Sequence, residues 1–144
     1  MARPSRMNVT SASRTSLRAA SLLSYDRSIR AEGFACLAGV DEAGRGPWAG
    51  PVVAAAVVMP PEAHLPGVDD SKKLSPGSRR GLFGRICSAA LCWGVGMAGP
   101  DEIDRTDILR ATLAAARRAL ACLQLIPDIV IMDGTVSPGT TGCA

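Results

Sequence analysis

Two apolar runs joined by a glycine-rich turn constrain this chain more than any other feature. Residues 35–59 read ACLAGVDEAGRGPWAGPVVAAAVVM. The opening ACLAGVDEAG predicts a strand that ends at Gly44, and PVVAAAVVM predicts a second. The GRGPWAG segment carries three glycines and one proline, a turn that lets the strands pair as neighbours. A β-hairpin is therefore expected. The unbroken apolar character of the second strand implies burial on both faces.

The next stretch, PPEAHLPGVDDSKKLSPGS, is polar and proline-rich, a surface loop. Ser75 before Pro76 marks a helix start, with serine as cap and proline in the first turn. That helix runs through GSRRGLFGRICSAAL, with Leu82, Ile86 and Ala89 or Ala90 inward. Gly81 and Gly84 each weaken it by about 1 kcal/mol relative to alanine. CWGVGMAG reads as a short third strand.

The clearest helix is TDILRATLAAARRALACL, residues 106–123. Leu109, Leu113, Ala116, Leu120 and Leu123 make one apolar stripe, and Arg110, Arg117 and Arg118 lie off it on the solvated side. DIVIMDG follows, a strand that ends in Asp133. A helix between two strands is a crossover, so the last strand joins the sheet in parallel.

At 144 residues the chain has room for one domain with a real core. Aromatic residues are scarce, so Ala, Val, Leu and Ile must fill that core. A formal charge of +3 permits a nucleic-acid partner without demanding one. The five cysteines contain no Cys-x-x-Cys pair, which suits thiols in a reducing cytoplasm. The longest apolar run is too short to span a bilayer and is bounded by prolines, so no membrane is implied. Residues 1–30 are rich in Arg and Ser and poor in acids. An organelle transit peptide, a disordered leader and a true start at Met7 all suit them. They are set aside as a basic, disordered leader, with the domain assigned to residues 31–144.

Adjacent residues of a regular strand point to opposite faces, yet Asp41 and Glu42 stand side by side. A pleat broken at Ala43–Gly44 lets Glu42 swing toward the space that Asp41 faces. Asp133, at the carboxyl end of a buried neighbouring strand, enters the same space. Oxygen-only ligands without a histidine cluster suit Mg²⁺ or Mn²⁺ and not zinc. Two such ions, about 3.5–4 Å apart, activate water and steady a leaving oxygen, so metal-assisted phosphodiester hydrolysis is the implied chemistry. Gly44 and Gly46 let backbone approach a sugar or phosphate, Arg45 offers a phosphate contact, and Ser71, Lys72 and Lys73 can hold a nucleic-acid backbone.

GVDEAGRGPWAGPVVAAAV, DDSKKLS, EID at residues 102–104, ILRATLAAARRAL and MDG at residues 132–134 resemble the ribonuclease HII family, the type 2 ribonucleases H, in the family's order. The resemblance implies an endonuclease that cleaves the RNA strand of RNA/DNA hybrids and single ribonucleotides embedded in duplex DNA. It leaves a 5′-phosphate and a 3′-hydroxyl and serves ribonucleotide excision repair. By the same resemblance Asp41, Glu42 and Asp133 match three of four metal-holding acids. Gly44, Arg45 and Gly46 match the motif that recognises the 2′-hydroxyl, and Ser71 and Lys72 match substrate contacts. A cytoplasmic monomer is expected.

The family's fourth acid lies beyond its Asp-Gly, with a helix and a tyrosine after it, whereas this sequence continues from Gly134 only as TVSPGTTGCA. It reads as a C-terminally truncated form, expected to be weak or inactive. Each residue also has a plain reading: Asp41 and Glu42 as a solvated turn, Asp133 as a strand-ending turn, Lys72 and Lys73 as loop charges. Asp101, Asp104 and Asp107 read as caps near helix starts, and His64 as surface decoration. The expected fold is α/β of the ribonuclease H type, three antiparallel strands extended by a parallel one with helices on the faces. Two further hypotheses stay open, a catalytically dead nucleic-acid-binding fragment and a chain that forms no stable module.

Overall fold

The hairpin forms as the glycine-rich turn requires. In the computed structural model, which describes residues 23–46 and 50–132, β1 (Leu37–Ala43) and β2 (Val52–Val58) pair antiparallel, from Ala38 opposite Val58 to Ala43 opposite Val53. Gly44 ends β1 with φ of 95°, and a Cβ there would collide with the Pro51 carbonyl. Only glycine meets both conditions.

β3 (Cys92–Ala98) adds antiparallel to β2, and β4 (Ile129–Met132) pairs in parallel with β1. The sheet order is β3-β2-β1-β4. The parallel pair is tied at its start, where Asp128 Oδ2 accepts from the amides of Ala35 at 2.9 Å and Cys36 at 2.8 Å.

Among the described residues four α-helices accompany the sheet. α1 spans residues 23–31, beginning inside the stretch set aside as a leader; Ile29 on it is buried. Arg30 donates to the Ala35 carbonyl and, at 3.3 Å, to that of Met59. α2 (Pro76–Ala89) starts at its expected cap, where Ser75 Oγ accepts from Ser78 N at 3.1 Å. Its inward side is thin, with Leu82 buried and Ile86 half-buried. α3 (Pro100–Arg105) is a short helix that the sequence reading did not separate. α4 (Ile108–Ala121) is capped by Asp107, whose Oδ1 accepts from Arg110 N at 2.8 Å.

α4 lies across β2 and β3 on one face of the sheet and keeps part of the expected stripe, with Ala116 and Leu120 in the core and Leu123 packed against it. Its buried residues are Ala111, Thr112, Ala115, Ala116, Ala119 and Leu120, while Leu109 is 41% exposed. The cause is on β3. A Cβ at Gly96 would collide with the Ala115 carbonyl, and one at Gly94 with the Ala119 carbonyl. Helix backbone therefore rests on strand backbone, with Ala115 and Ala119 and the Cβ atoms of Arg118 and Cys122 at the contact. Thr112 is reconciled with burial by donating to its own helix, Oγ1 to Ile108 O at 2.7 Å. With Ala38, Val40, Ala54, Ala56 and Val58 these side chains form the core.

The opposite face of the sheet corrects the expectation that β2 is buried on both sides. Ala55 is exposed, and beside it on β3 Trp93, Val95 and Met97 are 46%, 48% and 57% exposed. Arg118 corrects another, since it is not merely solvated. Its guanidinium grips Glu102 through two bonds of 2.7 and 3.0 Å and donates to the Met97 carbonyl at 2.6 Å, locking α3 and α4 to the end of β3. That hydrogen bond holds the Glu102 carboxyl below its ordinary pKa and raises Arg118. Among the described residues no helix is long and apolar enough to cross a membrane.

Candidate active site at the end of β1

Asp41 and Glu42 occupy the last turns of the pleat before Gly44. Pairing continues without a bulge through Asp41 opposite Ala55, Glu42 opposite Ala54 and Ala43 opposite Val53. The strand thus breaks after both acids, and the expected swing of Glu42 toward the face of Asp41 does not occur. Regular alternation sets Glu42 on the α4 face with Val40, and Asp41 on the open face with Gly39.

Their surroundings differ accordingly. Asp41 is exposed, and its Oδ1 accepts from the amide of Glu42 at 2.9 Å. The Glu42 side chain is only 14% exposed and reaches over the turn, its Oε1 3.0 Å from Arg45 Nη1. Arg45 and Gly46 are exposed. One acid, one arginine and a glycine turn are therefore assembled at the same strand end as the second acid.

β4 delivers its carboxyl end to this place. Met132 is the partner of Val40, the residue before Asp41. Asp133 comes next in sequence and lies outside the described residues, as do Trp48 and the TVSPGTTGCA segment. Among the described residues no three of His, Cys, Asp and Glu gather into a metal-holding group. The described donor set is all-oxygen, which fits a hard divalent cation.

Ser71 and Lys72 stand on a separate loop, in a short 3₁₀ turn (Ser71–Lys73). Asp70 caps it, its Oδ1 accepting from Lys72 N at 3.0 Å. Lys73 Nζ lies 3.7 Å from Asp69 Oδ1, so part of its charge is balanced locally. The side chains of Ser71 and Lys72 are exposed. The described bonds of this turn run to α2 through Arg79, not to the end of β1. Arg79 escaped the sequence reading; its signal was an arginine four positions after the Ser75 cap, within reach of the preceding loop. His64 is exposed in the loop before this turn.

Comparison with known proteins bears on the family and the fold. The family model for Ribonuclease HII matches residues 38–141. The chain is 53% identical over 114 residues to the Ribonuclease HII of Geotalea uraniireducens, covering 79% of this chain and 53% of that protein. It is 58% identical over 106 residues to that of Geobacter sulfurreducens, covering 74% of this chain and 48% of the relative. The crystal structure of ribonuclease H2 from Pyrococcus horikoshii superposes with a TM-score of 0.58 at 33% identity, over 67% of this chain and 49% of that one. A structure of Bst-RNase HIII in complex with Mn²⁺ shares the fold, with a TM-score of 0.53 at 20% identity over 71% of this chain and 37% of the other. The chain spans about half the length of the curated relatives it matches. By the family match and the identity to these relatives, the chain belongs to the ribonuclease HII family.

Proposed function

We propose that this chain carries a metal-dependent endonuclease site for the RNA strand of RNA/DNA hybrids and for single ribonucleotides embedded in duplex DNA. The observation that supports it most is that the end of β1 carries Asp41 and, over the Gly44 turn, Glu42 with its Oε1 3.0 Å from Arg45 Nη1. Asp41, Glu42 and Asp133 are the residues that would hold Mg²⁺ or Mn²⁺. When bound, such ions supply an activated water and neutralise charge on the leaving oxygen.

The chain's own residues do the rest. Gly44 and Gly46 keep side-chain bulk out of the turn, so that backbone groups meet the ribose 2′-hydroxyl, the group that separates RNA from DNA. Arg45 contacts the phosphate next to it, and Ser71 and Lys72 hold the nucleic-acid backbone from their loop without reading sequence. The products are a 5′-phosphate and a 3′-hydroxyl. The setting is a cytoplasmic monomer that incises misincorporated ribonucleotides for repair.

The opposite faces of Asp41 and Glu42 favour one second reading, a chain that binds hybrid without cutting it. A labelled duplex with one embedded ribonucleotide distinguishes the two. Cleavage at the ribonucleotide in Mg²⁺ or Mn²⁺, leaving a 5′-phosphate and a 3′-hydroxyl and abolished by chelator, supports the nuclease. Binding of the same duplex without metal-dependent cleavage supports the second reading, and neither binding nor cleavage defeats both.

A further inference from the structure

α2 is weakly anchored for a helix of its length. Leu82 is its one buried residue, and Phe83 on it is 65% exposed. What joins it to the preceding loop is a pair of arginines that donate to loop carbonyls. Arg85 Nη1 donates to Pro66 O at 3.0 Å. Arg79 Nη1 donates to Ser71 O at 2.9 Å and to Leu74 O at 2.6 Å.

The Arg79 bonds enclose the Ser71–Lys73 turn. Ser71 O receives Leu74 N at 3.3 Å as well as the guanidinium, and Asp70 O receives Lys73 N at 2.9 Å. Asp70 clamps the turn from its amino-terminal side and Arg79 from its carboxyl-terminal side. A single guanidinium nitrogen carries two hydrogens, and both are committed here, one to each carbonyl. That nitrogen is occupied as a strut and has no hydrogen left for a phosphate.

We propose that Arg79 is a positioning residue that fixes the Ser71–Lys73 turn so that Ser71 and Lys72 meet a nucleic-acid backbone. This rests on the reading of that turn as a substrate contact. Lysine does not replace Arg79, because both bonds leave the terminal guanidinium nitrogen and an ammonium, one bond nearer the backbone, stops short of the two carbonyls.

The test measures binding of a fluorescent RNA/DNA hybrid in chelator by anisotropy, for the unaltered chain and for Lys72→Ala, Arg79→Met, Arg79→Lys and Arg85→Met. Amide hydrogen exchange at Lys73 and Leu74 is followed in the same variants. Lys72→Ala is expected to weaken binding. Arg79→Met and Arg79→Lys both weaken it by about fivefold to tenfold and speed exchange at the two amides. Arg85→Met, which frees only Pro66 O, keeps unaltered binding.

Unaltered binding by Arg79→Lys beside weak binding by Arg79→Met overturns the proposal, because Arg79 then acts as a charge. Equal weakening by Arg85→Met, or unchanged exchange in Arg79→Met, overturns it too. If Lys72→Ala leaves binding intact, or the unaltered chain binds no hybrid, the proposal falls through its premise. Faster exchange in Arg79→Met would then show that the strut exists and the substrate reading of the turn is what failed.

Discussion

Replacing Gly96 by alanine tests whether α4 rests directly on the backbone of β3. The new Cβ would collide with the Ala115 carbonyl and lie 2.5 Å from Ala119 N and 2.6 Å from the Arg118 Cβ. Two of these three are helix backbone, which moves only if α4 moves. Ala115 and Ala119 are fully buried, so any shift of the helix opens the core. Overpacking of this kind costs about 1–3 kcal/mol, and two backbone collisions place Gly96→Ala in the upper part of that range. Lower entropy of the unfolded chain returns about 0.4–1 kcal/mol, leaving a net loss of about 2 kcal/mol. For a domain of this size that lowers Tm by about 7–8 °C.

Gly39 supplies the matched control. It lies in β1 on the open face, and a Cβ there meets nothing within 4 Å. Gly39→Ala therefore keeps only the entropic gain of about 0.4–1 kcal/mol and raises Tm by a few degrees. Thermal melts by circular dichroism compare the two variants. Shifts of the same sign, or an unchanged Tm for Gly96→Ala, would refute the backbone-on-backbone packing.

Three more outcomes follow from single contacts. Asp107→Ala removes the side-chain acceptor for Arg110 N and costs about 1 kcal/mol by urea unfolding. Asp128→Ala strips a carboxylate from two amides at the start of β1 and costs about 2 kcal/mol, with raised amide exchange at Ala35 and Cys36. Glu102 is held below its ordinary value of 4.5 by the Arg118 hydrogen bond. Its contribution to stability is thus complete above 4.5 and lost as pH falls through the lowered value in the folded chain. Glu102→Gln should be less stable than the unaltered chain at neutral pH, and the gap should close in acid.

The four strands and the crossover were legible because apolar runs, glycines and the long helical period each allow one local structure. The hairpin, β3, α4 and β4 stand within a residue or two of their expected bounds. The inward face of α4 was legible only in part, through Ala116, Leu120 and Leu123. Hydrophobicity ranks leucine above alanine, but Gly94 and Gly96 on a distant strand bring backbone against Ala115 and Ala119 and leave no room for a larger side chain there. Arg118 was misread for a related reason, since its partner Glu102 lies 16 positions away on another helix. Of the candidate site, the neighbourhood of Asp41, Glu42 and the Gly44 turn followed from the sequence. The facing of the two acids did not, because the expected break at Ala43–Gly44 falls just past them. The strut from Arg79 to Ser71 was invisible to a reading that treated loop and helix separately.

The most direct test of the central claim is the affinity for Mn²⁺, followed by electron paramagnetic resonance in the unaltered chain and in Asp41→Asn, Glu42→Gln and Asp133→Asn. The account predicts that each substitution weakens Mn²⁺ binding by about tenfold or more, as loss of a carboxylate from a hard-cation site should. Mn²⁺ bound equally well by all four proteins would contradict it.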